Sequence, residues 1–406
     1  MLMGVALGVL VSGAGAGGGL AHARAHRASS DPVLHAIALA LSKKAISPAH
    51  ATAYRKAYNA ALAEEARLHG VRAQELESAI AIVRGIARRG SLRATRMAAV
   101  FVTLQRNAQW WSSHGPPSPS SGVEPPAQGR RCKPLPSRDA HAANLFFPRS
   151  GVVYEYYPGM GLQLQVNATF GTVNGLLTEG SPASVRRAGA TLDEMLKLAS
   201  YRAGLMTWEY EFPFEGALPP WTSGLSQATA IEALTRAAHR LRRPRYLNMA
   251  LRLARLLATP PPIGVQVSLS GGDWFLLYSF APREVVLNAD LDALIALHDL
   301  TASTHVPFVA ALARSGLRAL VRNLGRFDTG RWSLYALGGP LADLNYHALN
   351  LELAQKLCQR TRNGAVCGAA RSFERELNAR CPLVKHHADE SRAEQRNADA
   401  AARQEL

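Results

Sequence analysis

The chain has 406 residues, of which 48% are hydrophobic and 19% charged; this excludes a disordered protein and leaves room for one large domain or two ordinary ones. Its 46 basic and 30 acidic residues give a formal charge of +16, a field that concentrates polyanions, whether nucleic acid, anionic lipid or acidic polysaccharide. The basic residues are mostly Arg in an Ala-rich chain, a composition that coding bias also produces, so charge alone does not choose among them.

Residues 2–20 are small or apolar and carry no charge. Ala21-His22-Ala23 follows, a small-x-small pattern suited to signal-peptidase cleavage. Residues 1–27 are therefore predicted to be an export leader, which makes the protein secreted or cell-envelope. The run is Gly-rich and weak for a membrane span, so membrane attachment is expected only through an uncleaved leader.

Residues 31–113 read as a helical subdomain. Apolar residues recur at helical spacing through Val33, Leu34, Ile37 and Leu41, and again through Leu76, Ile80, Val83 and Ile86. Ser47-Pro48 and Ser91-Leu92 look like helix starts, Gly70 and Gly90 like stops. Residues 114–138 are rich in Pro, Ser and Gly and read as a linker.

Residues 139–384 alternate helices with short strand pairs. Val152, Tyr154 and Tyr156 alternate as a half-buried strand, and Gly271-Gly272 supplies the turn of a hairpin flanked by Val267 and Trp274. Helices are predicted over 192–202, 226–240, 246–257, 289–300, 309–324 and 343–360. Residues 385–406 form a charged tail.

Four cysteines suit two disulfides in an exported chain and allow three pairings. Cys358 and Cys367 flank an Asn363-Gly364 turn, which favours that bridge and leaves Cys132 with Cys381. A zinc site lacks a Cys-x-x-Cys pair and suitably spaced histidines. No metal or cofactor is implied. Asp328-Thr329-Gly330 imitates an aspartic-protease loop, but that chemistry needs two such loops. Gly224-Leu225-Ser226-Gln227-Ala228 imitates a nucleophile elbow without a buried strand before it.

The chemistry-bearing runs are Arg326-Phe327-Asp328-Thr329-Gly330-Arg331-Trp332-Ser333-Leu334-Tyr335, Asp343-Leu344-Asn345-Tyr346-His347, Asp273-Trp274-Phe275-Leu276-Leu277-Tyr278 and Val286-Leu287-Asn288. With Tyr156-Tyr157-Pro158-Gly159 and Trp221-Thr222-Ser223-Gly224-Leu225-Ser226-Gln227, they resemble the C-terminal catalytic domain of D-glucuronyl C5-epimerases over roughly 147–381. The N-terminal β-rich part of the animal enzymes is absent, and the helical block stands in its place. The resemblance implies a mainly α fold, an α/α toroid with short β-hairpins. It also implies an isomerase that inverts C5 of glucuronate in an acidic polysaccharide such as heparosan.

Such a reaction removes a proton beside a carboxylate. It needs a base, an acid, and cations or donors to hold the developing charge. The resemblance assigns catalysis to Tyr278 and Tyr346, which positive surroundings would have to activate. The family's acidic position falls on Leu277, and Ala336 and Leu337 stand where animal members carry an Arg after the Leu-Tyr pair. Acids are therefore sought in Glu209 and Glu211, placed on one face by strand alternation opposite Tyr210, with Glu155 a weaker candidate. Arg326, Arg331 and Arg283 are expected to hold the carboxylate. Trp221, Gln227, Asn288, Asn345, His347 and Tyr156 are expected to line the groove. A uronate lyase and a non-catalytic glycan-binding protein are the rivals. Nucleic acid is not an expected partner. A homodimer is compatible with the resemblance.

Overall fold

The computed structural model describes residues 31–117 and 144–381. The leader, most of the linker, Cys132 and the tail lie outside these residues. Four helices come first: α1 (Pro32–Ser42), α2 (Pro48–Glu65), α3 (Val71–Arg88) and α4 (Ala94–Trp111). Asp31 starts α1 by accepting from the Val33 and Leu34 amides, and Ser47 caps α2 ahead of Pro48. In both, proline fills a first-turn position whose N–H would be unsatisfied anyway. Gly70 does not stop a helix; it precedes α3 with φ +63°.

The strands β1 (Asn144–Phe146), β2 (Val153–Tyr157) and β3 (Gly161–Leu164) form an antiparallel sheet in which Glu155 faces Gln163. Helices α3 and α4 pack on β3 and hold it with polar contacts. Asn107 of α4 accepts from the Leu162 N–H (2.8 Å) and donates to the Leu162 carbonyl (2.7 Å), completing the edge of β3 as a neighbouring strand would. Glu75 of α3 accepts from the Gly159 and Gly161 amides and the Tyr156 hydroxyl. Gly161 has φ +70°, and a Cβ there would stand 2.4 Å from Asn107 Oδ1, so both conformation and space require glycine.

Four helical pairs follow: α5 (Val166–Glu179) with α6 (Pro182–Lys197), α7 (Gly224–Arg240) with α8 (Arg245–Leu257), α9 (Leu287–Thr304) with α10 (Pro307–Asn323), and α11 (Leu344–Thr361) with α12 (Gly364–Arg380). The first members pack side by side in the order α5, α7, α9, α11, and each is backed by its own partner. This is an arc of an α/α toroid. Helix α9 lies at its centre and is buried on nearly every side. The hairpins β4 (Ser200–Arg202) with β5 (Leu205–Thr207) and β6 (Gln266–Leu269) with β7 (Gly272–Phe275) fill connections between pairs. One hydrophobic core runs from α1 to α12.

Three elements depart from the sequence reading. The helix predicted over 192–202 is α6, which begins ten residues earlier and ends before β4. Helices α5 and α12 were not anticipated. The Cys358–Cys367 disulfide joins α11 to α12 across the predicted turn. Cys381 is also disulfide-bonded and fully buried; the pairing expected for it falls on Cys132, outside the described residues.

Candidate active site

The first members of the four pairs all point their N-terminal ends at one cavity of about 650 Å³. Asn167 and Ala168 of α5, Leu225 and Ser226 of α7, Asn288 of α9 and Tyr346 of α11 line it. Each helix end carries roughly half a positive charge from aligned peptide dipoles and unsatisfied N–H groups. Helix α9 has no side-chain cap. The Asn288 amide is fully buried, reaches this cavity, and has no hydrogen-bond partner for either its nitrogen or its oxygen.

One wall is aromatic. Tyr210 stacks on Trp221 with ring centroids 4.4 Å apart, and Trp221 meets Tyr278 edge-on at 5.8 Å. Gly224 lets α7 begin against this wall, because a Cβ there would lie 2.1 Å from the Leu276 carbonyl. Close backbone approach therefore explains the glycine in the Gly-Leu-Ser-Gln-Ala run. The Tyr210 hydroxyl lies 2.7 Å from Ser226 Oγ and donates to Gln165 Oε1 (2.8 Å). Gln165 and the Tyr157 hydroxyl both donate to Glu155 Oε2.

Three tyrosines, Tyr278 of this wall among them, cluster together. Tyr335 interacts electrostatically with both Tyr278 and Tyr346, and its ring meets that of Tyr346 edge-on at 4.8 Å. Burial raises the pKa of all three, and the carboxylate of Glu215 raises each further. Asp343 and Glu155 also act on Tyr346. The positive surroundings expected for these tyrosines are not found among the described residues that line the cavity. Among the described residues, no Lys, Arg or His lines the cavity, whereas Glu155, Glu215 and Asp343 do.

The structure places the other sequence candidates as follows. Tyr278, Tyr346, Trp221, Asn288 and Tyr156 reach the cavity, but the Tyr156 hydroxyl is committed to Glu75 (2.7 Å). Arg283, Arg326 and Arg331 are exposed and do not line it, and Arg326 bonds Asn323 instead. Gln227 is buried behind the wall, where it accepts from the Trp208 N–H and donates to the Trp208 carbonyl. Asn345 is half-buried outside the cavity lining.

His347 is buried on the far side of α11 and stacked 3.6 Å from Trp332. Its Nδ1 accepts from the Ser333 N–H (3.1 Å), which leaves Nε2–H to donate to the Phe373 carbonyl (3.1 Å). Burial lowers its pKa to about 4, so it is a neutral structural imidazole.

Glu209 and Glu211 do share a face opposite Tyr210, but that face turns away from the cavity. Glu209 is gripped by Arg96 of α4 (2.6 and 3.0 Å), Arg202 (2.8 Å) and Ser200 (2.6 Å). Burial works against its charge, and Arg96, Ser200 and Arg202 together outweigh burial to hold the pKa below the usual carboxylate range. Both Glu211 carboxyl oxygens are buried without a partner; burial, then the charge of Glu209, pushes its pKa up. Neither can reach a substrate. The sequence reading ranked Glu155 below them, yet Glu155 lines the cavity. It also left out Glu215, Tyr157 and Tyr335, although the last two stand inside motifs it singled out. Leu277 reaches the cavity too, packed with Val286, Ala289 and Ala336.

Residues 202–375 match the family described as "D-glucuronyl C5-epimerase C-terminus", a shorter stretch than the 147–381 over which resemblance was read. The D-glucuronyl C5-epimerase of Caenorhabditis elegans is 31% identical over 157 residues, 34% of this chain and 26% of that protein. The chain thus spans about a quarter of the length of that curated relative. Among solved structures, cellobiose 2-epimerase from Spirochaeta thermophila DSM 6192 is similar at 13% identity and a TM-score of 0.41, covering 54% of this chain and 60% of the other. A D-mannose isomerase structure is similar at 15% identity and a TM-score of 0.38, with the same coverage of both chains. The matched stretch contains the whole tyrosine cluster, the aromatic wall and Asn288, whereas Glu155, Tyr157 and Gln165 lie before it. Over residues 202–375 this protein is similar to the D-glucuronyl C5-epimerase C-terminus family.

Proposed function

We propose that the protein is a carbohydrate epimerase that inverts C5 of a uronate unit within a polysaccharide. The cluster of Tyr278, Tyr335 and Tyr346 at the cavity edge carries this reading, supported by the match of residues 202–375 to the epimerase family. As phenolate, Tyr346 takes the C5 proton; the C–H electron pair moves into the carboxylate, and negative charge builds on its oxygens. The converging helix N-termini offset that charge in place of the missing arginine. Tyr278 then delivers its proton to the opposite face of C5. A proton passing from Tyr346 through Tyr335 to Tyr278 restores the starting state, so the cycle consumes nothing.

The apolar leader and the Cys358–Cys367 disulfide support an exported protein, since such bridges persist in oxidising compartments. The test is incubation with heparosan in heavy water, read by proton NMR. Deuterium at C5 with new iduronate signals supports the epimerase. Loss of H5 with rising ultraviolet absorbance identifies a lyase, which expels the C4 substituent after the same first step. No exchange by folded protein removes the catalytic reading.

A further inference from the structure

The charge inside the cavity is opposite to that of the chain. Glu155, Glu215 and Asp343 line it, and no basic side chain among the described residues does. The chain as a whole carries +16, and Arg283, Arg326 and Arg331 are exposed outside. A sulfated sugar drawn in by the basic exterior would meet three carboxylates with no counter-ion, in a partly dehydrated space where like charges repel more strongly than in water. A cation would meet the reverse.

The unpartnered, fully buried Asn288 amide aimed into the same cavity shows that it is shaped for a ligand carrying both donors and acceptors. Glu215 is the most available of the three acids. It is exposed and enters no ion pair with a described residue, whereas Glu155 accepts from Tyr157 and Asp343 caps α11.

We propose that the cavity selects a glycan carrying a free, protonated amino group, an unsubstituted hexosamine unit next to the uronate, with Glu215 as its main counter-ion. This deepens the epimerase reading and rests on it for the uronate. Glu215 acts electrostatically on all three tyrosines of the cluster, so the ammonium would sit within reach of their field. Bound there, it cancels the charge that opposes phenolate formation and supplies a cation that no described side chain lining the cavity supplies. The substrate then completes the site. A polymer alternating carboxylates and ammonium groups fits both surfaces: its carboxylates face the basic exterior and helix ends, its amines the acidic pocket.

The test compares heparosan oligosaccharides whose amino groups are free, N-acetylated or N-sulfated, plus glucosamine oligosaccharides without uronate. Affinity is measured by calorimetry at low salt, and C5 exchange by NMR. The free-amine form should bind about fivefold or more tighter than the N-acetylated one, the scale of one partly solvated ion pair, with the N-sulfated form weakest. Glu215→Gln should erase most of that preference. Asp343→Asn, which keeps a helix cap, should weaken it.

Equal or tighter binding of the N-sulfated form, or an unchanged preference in Glu215→Gln, overturns the proposal. C5 exchange on the N-sulfated polymer together with such a result leaves the epimerase reading standing without it. An amine preference seen in all forms, including the glucosamine oligosaccharides, with no C5 exchange anywhere, keeps the amine subsite and removes the epimerase.

Discussion

Arg96 and Glu209 meet in a buried bidentate pair, Nε to Oε2 at 2.6 Å and Nη2 to Oε1 at 3.0 Å. The first belongs to α4 and the second to the segment carrying Tyr210 and Phe212, so the N-terminal helices hold the aromatic wall from behind. Removing one partner strands a charge that burial penalises. Arg96→Met is expected to cost about 3–5 kcal/mol, read by urea unfolding. Arg96→Met with Glu209→Met should recover little of that loss, because Arg202 then loses the carboxylate it also donates to.

Glu211 lies beside this pair with its pKa pushed up, chiefly by burial. An acid raised on folding favours the protonated folded state. As pH climbs past the unfolded value near 4.3, the unfolded chain ionises first and stability falls until the folded group also titrates, at about 8. Glu211→Gln removes this penalty. The variant should gain on the order of 2 kcal/mol over the parent at pH 8 and little at pH 4. A constant difference across that range in pH-resolved unfolding would refute it.

The fold was legible where periodicity and punctuation agreed. Pro48 opens a helix as its Ser-Pro pair indicates, and alternation put Glu209 and Glu211 on one face and Tyr210 on the other. Alternation fixes which residues share a face, not which face meets the cavity; that depended on α4 bringing Arg96 across 113 residues of chain. Helix α5 left a readable trace in Val166, Phe170, Val173 and Leu177, all fully buried on one side, but its glycines and β-branched residues lower helix propensity and hid it. His347 sits beside Tyr346 in sequence, yet a helix turns adjacent residues about 100° apart, so one reaches the cavity and the other the core. Glu215 has no motif around it, and only the closed arc shows its position.

The Cys358–Cys367 bridge spans 9 residues and ties α12 to α11, which carries Tyr346. Closing so short a loop stabilises by about 2–3 kcal/mol through the unfolded chain. A Cys358→Ala, Cys367→Ala protein should lose that much in denaturant unfolding. The Tyr346 end of α11 is capped independently by Asp343, so glycan affinity at low temperature should be unchanged.

The tyrosine cluster makes the sharpest kinetic demand. Tyr346 as base must be ionised, and burial with nearby carboxylates raises its pKa above the usual phenol value. Below that pKa the active fraction grows tenfold per pH unit, so the C5 exchange rate in a neutral-amine substrate should rise with unit slope up to at least about pH 10. A substrate carrying an ammonium beside Glu215 should shift the profile to lower pH, because it stabilises the phenolate. Tyr346→Phe and Tyr278→Phe should each lower turnover by about 10²–10⁴-fold. Tyr335→Phe differs in kind: it breaks the return path but leaves both groups that touch C5. It should permit a first exchange event and slow continuous turnover, so a burst of one deuterium per protein followed by a slow phase separates it from the other two. A plateau in the wild-type rate near neutral pH would show instead that some other group takes the proton.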